Sequence, residues 1–288
     1  MCDKSRDRKG TGLHNTAHIF FKKVLVIGGG PGGLEAARVA AARGHKVTLM
    51  EKAGEIGGKL RFISRCVDNE PYGEFCDWEV RKCREAGVEI ELKKEATLET
   101  IREFKADVLI VAVGASMHIY PDIPGISKPH VVLPEDVLME KVSLGEKVVI
   151  IGGNRVGVEV AYTIKKKGLA EVITIVEPQS VPSLGYDMET LNMAMMTMCL
   201  LPKFKVKALI GVQIKEVGDD TVFVVSPEGK KQKIDADTVI LSMGYAPDKG
   251  LYEALRGKVR ELYAVGDCVK SRTVRDAVHE GAYVARQI

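Results

Sequence analysis

Residues 22–51 read KKVLVIGGGPGGLEAARVAAARGHKVTLME and carry the outline of one complete structural unit. Val24-Leu25-Val26-Ile27 is an unbroken apolar run, the pattern of a short strand buried on both faces. Six residues of glycine and proline follow at once. Residues 34–43 are rich in Ala and Leu and predict a helix, Gly44 supplies its stop, and residues 46–51 predict a second strand. Within this strand-turn-helix-strand unit stands Gly28-x-Gly30-x-x-Gly33, answered by an acid, Glu51, 23 residues after Gly28. Together they form a dinucleotide-binding fingerprint. Gly28 allows the tight turn, Gly30 lets backbone approach a pyrophosphate, and Gly33 lets helix and strand pack closely. Pro31 falls in the first helical turn, where its missing N–H is no loss. Glu51 ends the second strand, placed to accept ribose hydroxyls.

The pattern repeats downstream. Val148-Val149-Ile150-Ile151 leads into Gly152-Gly153-Asn154-Arg155-Val156-Gly157, then a helix ending near Gly168 and a strand ending in Glu177. Ala106-Asp107 opens an apolar run that reaches Gly114, and Ala236-Asp237 opens another that reaches Gly244. The chain is read as an internal duplication of nucleotide-binding units. Pro121, Pro124, Gly125, Pro129 and Pro134 mark a connection that can hold neither a long helix nor a central strand. Short β-rich runs over 205–234, divided by Gly218-Asp219-Asp220 and Pro227-Glu228-Gly229, predict an antiparallel meander. The expected fold is therefore α/β, two Rossmann-like dinucleotide-binding domains with the second inserted into the first. The boundaries are drawn at 1–21 for a flexible arm without apolar period, 22–125 and 246–288 for the first domain, and 126–245 for the inserted one.

Composition narrows the function classes. The net charge of +3 gives no reason to expect nucleic acid, and 45% hydrophobic with 28% charged residues excludes a disordered or collagen-like chain. No run approaches 18 apolar residues, so neither membrane span nor secretion signal is expected, and the location is read as cytoplasmic. The cysteines at 2, 66, 76, 83, 199 and 268 contain no C-x-x-C pair, which leaves disulfide-exchange and zinc-ribbon chemistry unsupported. Cys76, Val80 and Cys83 share a helical face and read as buried side chains, with iron-sulfur ligation as the alternative. Met188, Leu191, Met195 and Met198 form one face of a methionine-rich segment expected to pack in the core. Met193 and Met196 point elsewhere, free to dock a partner. His279 is read as a surface or packing residue; no catalytic residue and no metal ligand is assigned.

Two further motifs complete the pattern. Gly57-Gly58 follows Glu51 closely, where backbone without Cβ can pass beside a ligand. Tyr263-Ala264-Val265-Gly266-Asp267 is a short strand ending in an acid ahead of a helix over 273–288, an arrangement able to hydrogen-bond a polyol while the helix N-terminus faces a phosphate or flavin carbonyl. These motifs, the Ala112-Val113-Gly114-Ala115-Ser116 run and Val265-Gly266-Asp267-Cys268 resemble the two-dinucleotide-domain flavoproteins. Within these the chain is most similar, over about residues 22 to 288, to the FAD/NAD(P) portion of the NADH:flavin oxidoreductases related to 2,4-dienoyl-CoA reductase and trimethylamine dehydrogenase.

The resemblance implies FAD in the first unit, held by Gly28, Gly30, Pro31, Gly33, Glu51 and Lys52. It extends the same role to Gly58, Lys59, Ala96, Ala112, Gly114, Gly266 and Asp267. In the second unit it implies a nicotinamide nucleotide held by Gly152, Asn154, Gly157 and Glu177, with Gly244 as the counterpart of Gly114. Glu177 has no arginine close by in sequence and a carboxylate repels a 2′-phosphate, so NADH is favoured over NADPH. The implied activity is transfer of hydride from NADH to FAD and on to an unknown acceptor, with an FMN-barrel or other electron-acceptor protein in trans as the implied partner.

The departures from that family pattern are the absence of the FMN barrel, of the iron-sulfur cysteines, and of the redox cysteine pair of disulfide reductases. Asn154 stands where the second fingerprint has its middle glycine, and its amide is expected to crowd the pyrophosphate. Together with the missing catalytic domains, that motivates the alternative of a non-catalytic FAD- or ADP-binding subunit, or a remnant of a larger reductase.

Overall fold

The computed structural model describes residues 21–117 and 122–288. The arm expected at 1–21, apart from Phe21, and Pro121 of the connection lie outside the described residues.

The opening fingerprint folds as its residues require. Strand β1 (Lys23–Ile27) leads through the glycine turn into α1 (Pro31–Ala42), and Gly44, at φ +96°, turns the chain into β2 (Lys46–Met50). Helices α2 (Leu60–Ile63) and α3 (Glu70–Glu85), strand β3 (Glu89–Glu91), helix α4 (Leu98–Phe104) and strand β4 (Val108–Val111) follow. β1 pairs in parallel with β2 and with β4. Val24 and Val26 face the core beneath α1 and α3, whereas Leu25 packs with Leu109 and Ile101 on the other side. Burial on both faces is why this strand is a continuous apolar run rather than an alternating one.

After β5 (Ala115–Met117) the second unit begins with a two-residue edge strand β6 (Val131–Val132) and the short α5 (Pro134–Leu138). It continues through β7 (Lys147–Ile151), α6 (Arg155–Lys166) and β8 (Val172–Glu177). Helix α7 (Thr190–Ala194) runs through a π-helical turn (Met195–Leu200) into α8 (Leu201–Lys203) and then β9 (Lys207–Ile210). Strands β10 (Gln213–Val217), β11 (Thr221–Val225) and β12 (Lys231–Asp235) form an antiparallel meander, and β13 (Thr238–Leu241) completes a parallel sheet of order β6-β13-β7-β8-β9. The expected meander over 205–234 is thus shortened. Residues 207–210 pair in parallel with β8, and Gly211, at φ +73°, ends that run before the antiparallel strands start.

The chain then returns. β14 (Tyr245–Pro247) pairs antiparallel with β5, α9 (Gly250–Leu255) follows, and β15 (Glu261–Ala264) pairs in parallel with β4, so the first sheet has the order β15-β4-β1-β2-β3. Last comes α10 (Val274–Gln287), which crosses α1 at glycine: a Cβ on Gly281 would lie 2.3 Å from the Gly32 carbonyl oxygen. The architecture is α/β with two parallel five-stranded sheets, and among the described residues no helix is long and apolar enough to cross a membrane.

The methionine segment differs from expectation. Leu191, Met195 and Met198 are 80%, 49% and 75% exposed, while Met188 and Met196 pack against the second core. The π-helical turn changes the angular step per residue, so a face computed at 3.6 residues per turn does not survive through it. Cys76, Val80 and Cys83 are buried together as expected; burial raises both thiols above their usual range, Cys83 to about 12, and the Cys83 Sγ donates to the Leu34 carbonyl at 3.2 Å.

One buried acid on α3 has a measurable consequence. Glu79 is 1% exposed, and its Oε2 lies 3.7 Å from Arg38 Nε without a hydrogen-bond partner among the described residues; Arg38 makes its short bonds, 2.7 Å each, to Glu35 instead. Burial, reinforced by the Glu35 carboxylate, pushes Glu79 up to about 7. The folded state therefore binds a proton that the unfolded state has released. Its contribution is fully present below pH 4.5 and is lost as pH rises to about 7. We expect Glu79→Gln to match wild type near pH 4.5 and to exceed it by about 1–3 kcal/mol above pH 7. Urea denaturation across that range checks this.

Candidate functional site

The first fingerprint opens on a cavity of about 490 Å³. Each glycine does a distinct job there. At Gly28, φ +106°, a Cβ would lie 2.3 Å from the Ala112 carbonyl oxygen, and at Gly33 it would lie 1.9 Å from the Gly28 carbonyl oxygen. At Gly30 a Cβ would meet nothing within 4 Å, because that position faces the cavity. Gly58, at φ +53°, approaches the same turn: its Cβ would lie 3.1 Å from the Gly30 Cα, and Gly57 donates its N–H to the Gly29 carbonyl at 2.8 Å.

The carboxylate of Glu51 is held by two backbone donors, Gly29 N–H on Oε2 at 2.7 Å and Ala53 N–H on Oε1 at 2.8 Å. Fixed in this way, the carboxylate keeps lone pairs free to accept further hydrogen bonds. Lys52 and Ala96 line the cavity near it, and Pro31, Ala112 and Gly114 line its floor.

On the returning segment, Gly266, at φ +72°, begins a 3₁₀ turn (Gly266–Cys268) that presents Asp267 to the cavity. Asp267 Oδ2 accepts from Lys59 Nζ at 3.0 Å, and the same ammonium stands 3.5 Å from the centroid of the Tyr245 ring. Burial lowers the Lys59 pKa against the opposing pull of Asp267. Tyr245 is raised by burial, and its hydroxyl donates to Glu135 Oε2 at 3.5 Å. The N-terminus of α10 also faces the cavity, closed by a capping box between Thr273 and Asp276.

The second fingerprint reproduces the first. A Cβ on Gly152, φ +110°, would lie 1.9 Å from the Ser242 carbonyl oxygen, and one on Gly157 would lie 2.1 Å from that of Gly152. Glu177 accepts from Gly153 N–H on Oε2 and from Gln179 N–H on Oε1, both at 2.7 Å. Gly114 and Gly244 match as well, at φ +82° and +90°. A neighbouring cavity of about 440 Å³ is walled by Gly152, Asn154, Glu177 and Ser242, with Lys215 brought in from β10.

Asn154 does not stand as expected. Its φ is −70°, so no left-handed backbone is asked of it, and its amide turns inward. Nδ2 donates to the Ser242 carbonyl at 2.6 Å, while Oδ1 accepts from Ser242 Oγ at 3.0 Å and from Gly157 N–H at 3.1 Å. The side chain is the N-cap of α6. Asn154→Gly should therefore lower stability by about 1–2 kcal/mol, chiefly by leaving the buried Ser242 carbonyl and hydroxyl without their partner, rather than relieve a crowded phosphate. A thermal melt checks this.

Of the residues expected at the two sites, those of the first unit line one cavity except Gly33, which is packed against Gly28; of the second unit, Gly152, Asn154 and Glu177 line the other, and Gly157 and Gly244 do not. His279 is exposed and lines neither. Sequence reading missed Tyr245, Asp248, Arg272 and Thr273; only Thr273, through its capping-box spacing, carries a local signal.

The geometry fits a dinucleotide: a glycine turn open toward the cavity, an acid anchored beyond it, and a second acid facing it from the returning segment. The family model described as pyridine nucleotide-disulphide oxidoreductase matches residues 22–281. The chain belongs to that family. The family binds FAD and NADH, and its members are FAD-dependent NAD(P)H oxidoreductases.

Cinnamate reductase of Clostridium sporogenes is 37% identical over 282 residues, which cover 97% of this chain and 41% of that protein. NADH oxidase of Thermoanaerobacter brockii is 37% identical over 272 residues, 93% of this chain and 41% of that one. Among solved structures, a 2-naphthoyl-CoA reductase superposes with a TM-score of 0.87 at 34% identity, covering 94% of this chain and 40% of its own. Thioredoxin reductase of T. acidophilum, at 18% identity, TM-score 0.73 and 92% and 96% coverage, shares the fold. This chain spans about two fifths of the length of the curated relatives it matches.

Proposed function

We propose that this chain accepts hydride from NADH and passes the electrons through FAD to an acceptor protein. The observation that carries this reading is the duplicated anchor, an acid bound to a fingerprint amide at 2.7 Å in both units of one chain. FAD would lie along the larger cavity, its pyrophosphate at the turn around Gly30, its adenosine ribose on Glu51 and its ribityl chain on Asp267. When bound, it supplies the redox chemistry. The residues of this chain bind, orient and exclude water. Lys59 holds Asp267 in place from one side and rests on Tyr245 from the other, and Ala112 and Gly114 keep the floor free of side chains that would compete for the space. No side chain is asked to move a proton.

In the second unit Glu177 would take the ribose of NADH. Its carboxylate disfavours a 2′-phosphate, and we expect NADH to reduce the flavin faster than NADPH at equal concentration. Faster reduction by NADPH overturns the role of Glu177. The alternative of a nucleotide-binding subunit without turnover rests on Asn154 crowding the phosphates and on the missing catalytic domains, and an inward-turned amide takes the first of these supports away. A cytoplasmic protein working with an acceptor in trans is the setting that agrees with this reading.

Anaerobic titration of the FAD-loaded protein with NADH tests it. Loss of the flavin's visible absorbance is the expected result. Bound FAD that keeps its absorbance at saturating NADH overturns the proposal.

A further inference from the structure

The two fingerprints differ at one place, the start of the helix. At the first, Gly30, Pro31 and Gly32 line the large cavity, so the N-terminus of α1 is open. At the second, the loop over 181–189 lies across the turn. Up to Gly185 it matches the first: Leu184 packs on Gly153 and Gly185 donates its N–H to the Gly153 carbonyl at 2.6 Å, as Ile56 packs on Gly29 and Gly57 donates to the Gly29 carbonyl at 2.8 Å. Asp187 then places Oδ1 2.6 Å from the backbone nitrogen of Arg155, whose guanidinium Nη2 donates back to the Asp187 carbonyl at 3.3 Å. With Gly157 N–H taken by Asn154, the amide of Val156 is the one first-turn donor of α6 without a partner among the described residues. Neither Gly153, Arg155 nor Val156 lines the neighbouring cavity.

An anion at a helix N-terminus is what a dinucleotide pyrophosphate would be, and Asp187 already fills that position. We propose that Asp187 is a tethered competitor for the pyrophosphate at the second site, so that nucleotide binding and release of the 181–189 loop are one event. This rests on the reading that the second fingerprint takes NADH. Because the carboxylate is attached to the protein, it meets the Arg155 amide at a high effective concentration. The apparent affinity for NADH is reduced by the fraction of molecules in which the loop is closed. Release has a second effect: it frees the Arg155 guanidinium, which can then pair with the phosphates that displace Asp187.

The test is calorimetric titration of the FAD-loaded protein with NADH, in wild type and in Asp187→Ala, Asp187→Asn and Glu189→Gln. Asp187→Ala is expected to bind about tenfold more tightly, with Asp187→Asn between it and wild type. Glu189→Gln removes an equal charge from the same loop without touching α6, and it should stay within about twofold. Hydrogen exchange on wild type gives an independent reading, because NADH should speed exchange across 181–189. Unchanged or weaker binding by Asp187→Ala overturns the proposal. So does an equal gain from Glu189→Gln, or a loop whose exchange NADH leaves alone or slows.

Flavin bleaching separates this from the hydride relay. Bleaching without a gain in Asp187→Ala sinks the competitor alone, and a gain without bleaching sinks the relay alone. Silent titrations in all four proteins overturn both.

Discussion

Gly30→Ala should fold as wild type and lose FAD, whereas Gly33→Ala, three residues on, should fail to reach a stable fold. The same methyl group is added in each case, and only its surroundings differ. At Gly33 the new carbon would stand 1.9 Å from the Gly28 carbonyl oxygen. That oxygen cannot retreat, because Gly28 donates to the Met50 carbonyl at 2.8 Å and is itself pressed against the backbone of Ala112. Forcing strand and helix apart here costs on the order of 3 kcal/mol or more, a large part of the stability of a domain.

At Gly30 the methyl group meets no protein atom within 4 Å, and φ −76° suits any residue. Reduced freedom of the unfolded chain and a slightly poorer helix cap offset each other to within about 0.5 kcal/mol. What the methyl group does meet is the cavity, at the point where a pyrophosphate must touch backbone, so FAD affinity should fall at least about tenfold. Thermal melts and equilibrium dialysis against FAD read the two effects separately. Wild-type FAD affinity in Gly30→Ala would show that the pyrophosphate lies elsewhere.

Asp267→Ala should also release FAD, through chemistry rather than space. A charge-assisted hydrogen bond to a ribityl hydroxyl contributes about 1.5–3 kcal/mol, so affinity should fall by roughly 10- to 150-fold. The substitution also strips Lys59 of the carboxylate at 3.0 Å that opposes its burial, leaving the ammonium against the Tyr245 ring with only the more distant Glu135 carboxylate acting in its favour. Asp267→Asn keeps an acceptor and loses the charge, and it should fall between Ala and wild type. If all three proteins hold FAD equally through repeated dilution, Asp267 is not the ribityl contact.

The parts of this molecule that were readable in sequence are those whose causes are local. Gly33 and Gly157 are required by contacts within a single turn and Gly28 and Gly152 by the positive φ of that turn, and burial of Cys76, Val80 and Cys83 follows from helical spacing alone. The features that escaped have partners far away in the chain. Lys59 meets Asp267 across 208 residues, and Asn154 turns inward because Ser242 waits 88 residues downstream. Asp187 is a single acid in an aperiodic loop, and nothing near it announces Arg155. The methionine face was misassigned because the geometry of the helix changes partway along it.

The antiparallel pairing of β5 with β14 means that one unit is a closed detour within the other, and this bears on how the chain comes off the ribosome. Everything the second sheet needs has been made once Leu241 emerges. By contrast, β4 waits for β15 and α1 waits for α10, leaving a bare strand edge and a bare helix flank through more than a hundred residues of translation. Exposed edges of this kind invite aggregation and exchange between chains. The nascent protein therefore completes its second half before its first.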